Sequence, residues 1–214
     1  VKRRKEEELS NIDEIRSRQE LRADCEKFLE ESQITRYVTY VNVCLYLKSG
    51  KELQARVEKY GVALGKDAQK IQENINDRVI ALEKNHDRTM QDMSDIWDDL
   101  YEVKKADDVE MLIDNIASVL QKGIPDADRV DFEELQKNLS ELLNDINEIK
   151  RVTNSRNEFK KISENMINKY EHSEFDFEVL PIIQEVISDM ENNMNVREQK
   201  WINSVLTLGD KSRK

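Results

Sequence analysis

The chain has 214 residues, 37% of them charged and 38% apolar, and a formal net charge of −11. So small an apolar share excludes a core wrapped on every side and suits long helices that each bury one stripe. Five glycines and two prolines leave little chain for tight turns, which excludes most sheet-rich folds, and the acidic balance argues against a general nucleic-acid binder, whose phosphate contacts demand basic surface.

The basic clusters sit at the two ends: Lys2, Arg3, Arg4 and Lys5, then Lys211, Arg213 and Lys214. They read as solvated tails rather than functional arms. Cys25 and Cys44 lie outside any C-x-x-C arrangement and read as reduced thiols in a cytoplasmic protein. No signal peptide is evident, and no apolar run reaches membrane-spanning length, so no membrane association is expected. The longest such run, residues 37–47, contains Thr39 and Asn42. A start at Val1 in a charged helical run, and an end just after an amphipathic pattern, suggest a piece excised from a longer protein.

Residues 2–48 form the first expected helical segment. Leu21, Cys25, Phe28 and Leu29 share a helical face, and Glu14 with Arg18 makes a favourable i,i+4 pair. Residues 34–47 are rich in β-branched and aromatic side chains, so a strand competes. Strict alternation fails, because Arg36 and Asn42 share a face with Val38 and Tyr40. Ile34, Tyr37, Val38, Val41 and Leu45 fit the 3,4 helical spacing better, so the reading is helix. Ser49 and a left-handed Gly50 are expected to end it.

The second segment, residues 51–105, opens with Leu53, Val57, Tyr60 and Leu64 and continues through Ile75, Val79, Leu82, His86, Thr89, Met93, Ile96, Leu100 and Val103. That is an a/d heptad pattern, the spacing that keeps one seam against a partner helix. Between Leu64 and Ile75 the pattern takes an eleven-residue step through Ala68 and Ile71, which locally unwinds a supercoil. Gly61 and Gly65 fall just before that step and permit a bend. One uninterrupted helix over this segment measures about 80 Å at roughly 1.5 Å per residue.

A short helix is expected over residues 108–122, with Val109, Leu112, Ile113, Ile116, Val119 and Leu120 inward and Gly123 and Pro125 as stops. Residues 122–131 read as a linker and internal hinge. Asp131 then caps a helix over 132–171, with Glu134 completing a capping-box layout. Its stripe is Phe132, Leu135, Leu139, Leu142, Ile146 and Ile149, slipping near Arg156 and resuming at Phe159, Ile162, Met166 and Tyr170. The last helix, 176–208, starts near Asp176 with Pro181 in its early turns, where a missing N–H costs least. Its stripe is Val179, Ile183, Val186, Met190, Met194, Trp201, Val205 and Leu208. Trp97 and Trp201 align at one offset with the pairs Ile75/Val179, Val79/Ile183 and Leu82/Val186, the pattern of a two-fold repeat. Heptad stripes also align by chance, which is the simpler reading.

The fold expectation is therefore all-α: an elongated antiparallel bundle or coiled coil of about five helices, three or four of them long, in one domain over residues 1–214.

Resemblances to chemical motifs fail one by one. Gly61-x-x-x-Gly65-Lys66-Asp67 is a residue short of a phosphate-binding loop, and Asp67 stands where a magnesium-binding hydroxyl belongs. Glu83-x-x-His86 has the spacing of a bundle metal site, but His172 lacks the second such pair. Asp126-x-Asp128 opens like a calcium loop, yet Asp131 and Lys137 replace its glycine and closing glutamate. No catalytic residue, cofactor or metal is expected. What remains is charge. Ten acids between Asp87 and Asp114 face three bases, Arg88, Lys104 and Lys105. Most of such a run is a solvated helix face; the sharper reading makes Asp92, Asp95, Asp98, Asp99 and Glu102 a docking face for a basic protein partner. The expected function is a non-catalytic structural or interaction module, a spacer or docking arm, with no direct nucleic-acid contact and no assigned oligomeric state. The alternative is the helical arm or middle domain of a larger ATPase or nucleic-acid-processing machine whose catalytic motifs lie outside this piece.

Overall fold

A computed structural model describes residues 2–151, 156–173 and 179–211. Among them the chain has no strand. Its helices are α1 (Lys2–Glu31), α2 (Tyr40–Tyr60), a 3-10 segment (Gly61–Asp67), α3 (Ala68–Glu102), α4 (Ala106–Leu120), α5 (Asp126–Arg151), α6 (Arg156–Glu171) and α7 (Leu180–Lys211). The protein is all-α, as its composition required. Its contacts fall into two compact units: Val1–Met93 with Val119–Arg129, and Ser94–Ser118 with Val130–Lys214.

The first unit packs α1, α2 and the start of α3 around Leu21, Cys25, Phe28, Val43, Leu53, Val57, Leu64, Ile75, Val79 and Leu82. Arg56 pairs with Asp24 at 2.7 Å and Gly50 lies against Phe28, so α2 runs antiparallel to α1. Gln54 meets Asn76 at 2.9 Å and Tyr40 meets His86, so α3 runs antiparallel to α2 in turn. Arg78 of α3 donates to the Leu29 carbonyl at 2.8 Å and to Ser32 Oγ at 3.0 Å. A cation thereby satisfies a carbonyl at the C-terminal end of α1, where the helix dipole favours positive charge.

Three local expectations differ from the structure. The helix read over residues 34–47 begins only at Tyr40, where Thr39 Oγ1 accepts the Asn42 N–H at 3.2 Å as an N-cap. Its buried face is Tyr40, Val43, Gly50, Leu53 and Val57, while Ile34, Tyr37, Val41 and Leu45 are exposed. Gly50 does not end the helix; it sits inside α2 at the closest approach of its neighbours. Residues 51–105 break where Gly61 and Gly65 permit a bend: Gly65 adopts φ 71° inside the 3-10 segment, a conformation that glycine enters without a Cβ clash. Along α3 the heptad register holds: Ile75, Val79, Leu82, Thr89, Ile96 and Leu100 are buried, and His86, Met93 and Val103 half-buried.

The linker read over residues 122–131 is shorter than its composition suggests. Asp126 already opens α5, with the Pro125 carbonyl accepting the Arg129 N–H at 2.9 Å, so Asp131 is an interior helical residue and not a cap. The turn before it is tied to α2: the Tyr40 N–H donates to the Lys122 carbonyl at 2.7 Å and the Val41 N–H to the Gly123 carbonyl at 3.3 Å. Lys122 also pairs with Asp92.

In the second unit, α5 buries Phe132, Leu135, Leu139, Leu142, Ile146 and Ile149, the stripe read from its sequence. Asp145 accepts from both Lys169 and Tyr170 of α6, each at 2.5 Å. Arg156, the first residue of α6, holds Glu198 through Nε at 3.1 Å and a second nitrogen at 2.8 Å, and reaches Asn195 at 2.8 Å. α6 and α7 are therefore antiparallel. Pro181 stands in the first turn of α7, while the expected start at Asp176 and the slip before Arg156 fall outside the described residues. α7 buries Ile182, Ile183 and Val186, but Trp201 and Val205 of the expected stripe are exposed. The proposed repeat partners Trp97 and Trp201 thus occupy different surroundings, Trp97 being half-buried and stacked on Phe132 at 5.2 Å between ring centroids.

Candidate docking surface

The end of α3 and the start of α4 meet at a turn closed by one carboxylate. Asp108 Oδ2 accepts the backbone N–H groups of Lys104 and Lys105, both at 3.0 Å. Asp107 and Asp108 lie in the first turn of α4, where the helix dipole favours anions. Ile96 and Leu100 of α3 and Val109, Leu112 and Ile116 of α4 are buried in the same unit. Between the two helices runs a groove of ≈ 190 Å³ lined by Asp99, Glu102, Val103, Asp108, Met111, Leu112 and Asn115.

The groove lining combines three apolar side chains, Val103, Met111 and Leu112, with three carboxylates. Met111, on the helix that folds back over α3, is 65% exposed. Asp99, Glu102 and Asp108 supply three carboxylates and the lining holds no base. Carboxylates beside an exposed thioether have the chemistry that complements a guanidinium or ammonium on an aliphatic stem.

The five acids singled out in the sequence have different surroundings. Asp99 and Glu102 line the groove; Asp95 and Asp98 are exposed on α3 without lining it. Asp92 is half-buried in its ion pair with Lys122. Asp108, Met111 and Asn115 complete the groove and were not singled out. The signal for Asp108 was present, since an acid at the start of an apolar helix is a capping position. Met111 carried no signal, because its exposure depends on how α4 lies on α3.

Glu83 and His86 do not converge on a common point. Glu83 pairs with Lys51 at 3.2 Å. His86 engages the Tyr40 hydroxyl through Nε2 at 3.1 Å and Asp87 through Nδ1 at 3.2 Å, and its ring stacks on Tyr40 at 5.3 Å. Burial, and next the neighbouring Cys44, push the Tyr40 hydroxyl up to about 12. Among the described residues no group of three His, Cys, Asp or Glu side chains is placed to hold a metal ion, and no helix is long and apolar enough to cross a membrane.

The chain matches no protein-family model, no curated protein and no solved structure. What the fold defines is an all-α protein of two helical units.

Proposed function

We propose that the protein is a non-catalytic helical interaction module whose α3–α4 groove docks a basic segment of a partner protein. The observation that carries this reading is the groove lining, three carboxylates around Val103, Met111 and Leu112. Exposed ion pairs are individually weak, so the partner contributes several basic residues together with an apolar anchor. The concentration of acid along α3 and α4 steers a basic partner at a rate that falls with added salt. Free thiols at Cys25 and Cys44 suit a reducing, cytoplasmic setting for such a module.

The test is calorimetric titration of a helical peptide with arginines at i and i+4 and leucines between them. Wild-type protein is compared with the double variant Asp99→Asn, Glu102→Gln. Binding is expected to weaken by about tenfold in the variant, and further with added salt in the wild type. Equal affinity for both proteins removes the groove from the reading.

A further inference from the structure

α3 and α7 end in the same apolar pattern, and its seam positions are covered in α3 and exposed in α7. From Ile96, the end of α3 and the residue after it read Ile-Trp-Asp-Asp-Leu-Tyr-Glu-Val; from Trp201, α7 reads Trp-Ile-Asn-Ser-Val-Leu-Thr-Leu. Apolar or aromatic residues fall at matching positions throughout. In α3 the seam positions are packed: Ile96 and Leu100 are each 1% exposed and Trp97 stacks on Phe132, while Tyr101, which matches Leu206, is itself 68% exposed. In α7 the residues at the same places, Trp201 and Val205, are 70% and 46% exposed, and Ile202 and Leu206 are exposed beside them.

This exposed strip continues a face that is already in use. Ile183 and Val186 are buried and Met190 and Met194 half-buried, and Trp201 and Val205 follow at helical spacing. α6 reaches only the near end of the strip, its first residue, Arg156, lying opposite Asn195 and Glu198. The charges beside the strip are equally informative. Glu198 is taken by Arg156, whereas Arg197 and Lys200 form no ion pair among the described residues. Such a surface complements a helix with an aliphatic face and acidic flanks. α4 has that character, with Val109, Leu112 and Ile116 buried and Asp107, Glu110 and Asp114 exposed.

We infer that residues 196–206 of α7 are a docking strip for an acidic amphipathic helix of a partner protein, which covers α7 as the end of α3 is covered within its own unit. The inference uses a different surface, and the opposite charge, from the α3–α4 groove and stands without it. An apolar anchor in Trp201 flanked by two cations is the composition of a binding hot spot.

The probe is a labelled peptide of the α4 sequence, residues 106–120, followed by fluorescence anisotropy with the full chain. Saturable binding is expected, weakened by about tenfold or more in Trp201→Glu and in the double variant Arg197→Glu, Lys200→Glu. These positions are exposed, so the variants keep the helical circular dichroism of the parent. A peptide carrying Leu112→Asp and Ile116→Asp is expected not to bind, and Lys84→Ala, at an exposed position away from both surfaces, is expected to leave binding unchanged. Binding that survives Trp201→Glu means that the peptide exchanges with α4 on α3, and it overturns the inference, as does absence of binding. Sedimentation of the chain alone is expected to show no self-association dependent on Trp201; if it does, the strip belongs to a second copy and the inference fails.

Discussion

Gly50 lies so close to Phe28 that a β-carbon on it stands 2.8 Å from the ring's Cζ, and as close to a methyl of Val79. In an open helix an alanine here gains about 1 kcal/mol over glycine. Against a ring on one side and a β-branched side chain on the other, the added methyl instead overpacks the core at a cost of about 1–3 kcal/mol. Gly50→Ala is therefore expected to destabilise in a denaturant melt, and Phe28→Leu in the same chain to recover part of the loss. A stabilised Gly50→Ala contradicts the packing of α1 and α3 across α2.

The seam of α3 has a sharper test. Leu82 is fully buried, and Lys84 and Asp98 are exposed. Leu82→Ala is expected to cost on the order of 2–5 kcal/mol, through lost transfer energy and the cavity left behind. Lys84→Ala and Asp98→Ala are expected to change stability by less than about 0.5 kcal/mol. Denaturant melts of the three variants decide it, and a silent Leu82→Ala places the seam on the wrong face.

Alkaline pH is expected to loosen the junction of α2 and α3. The unfolded chain releases the tyrosine proton near 10.0, whereas folded Tyr40 holds it up to about 12. The stabilisation from neutral Tyr40 is intact below the lower value and lost as pH rises through the upper one. Burial, and then its hydrogen bond to Asp145, push Tyr170 in the same direction. Thermal melts across this window are expected to fall more steeply for the wild type than for Tyr40→Phe. Lysine titration is common to both proteins and drops out of the difference.

The two tryptophans are expected to separate in a quenching experiment. Trp97 is half-buried on Phe132 and Trp201 is 70% exposed. Trp201→Phe is expected to remove most of the acrylamide-accessible fluorescence, and Trp97→Phe to leave it. Equal quenching of the two variants contradicts the exposed strip on α7.

Much of the groove's chemistry is legible in the amino-acid sequence alone. The acidic run through Asp99 and Glu102 is visible as composition, because charges of one sign on a helix stay solvated wherever the helix packs. That Asp99, Glu102 and Asp108 share a groove while Asp92 turns to Lys122 is not visible there. It depends on the turn that Asp108 closes and on contacts between residues far apart in the chain.

The sequence by itself determined the helices and most of their seams. The stripes of α3 and α5 are written in spacings of three and four, and those spacings select a buried face without reference to the partner. Tertiary structure decided what local spacing leaves degenerate. Residues 34–47 offer an apolar set in Tyr37, Val41 and Leu45 and another in Tyr40 and Val43; the second faces inward because Gly50 on that side lets α1 and α3 approach. It also decided that Ile96 and Leu100 at the end of α3 are packed while Trp201 and Val205 at the matching places of α7 face solvent. The reason is physical: hydrophobic burial is non-directional, so a stripe states that it seeks cover and only the arrangement of the other helices states whether it finds any.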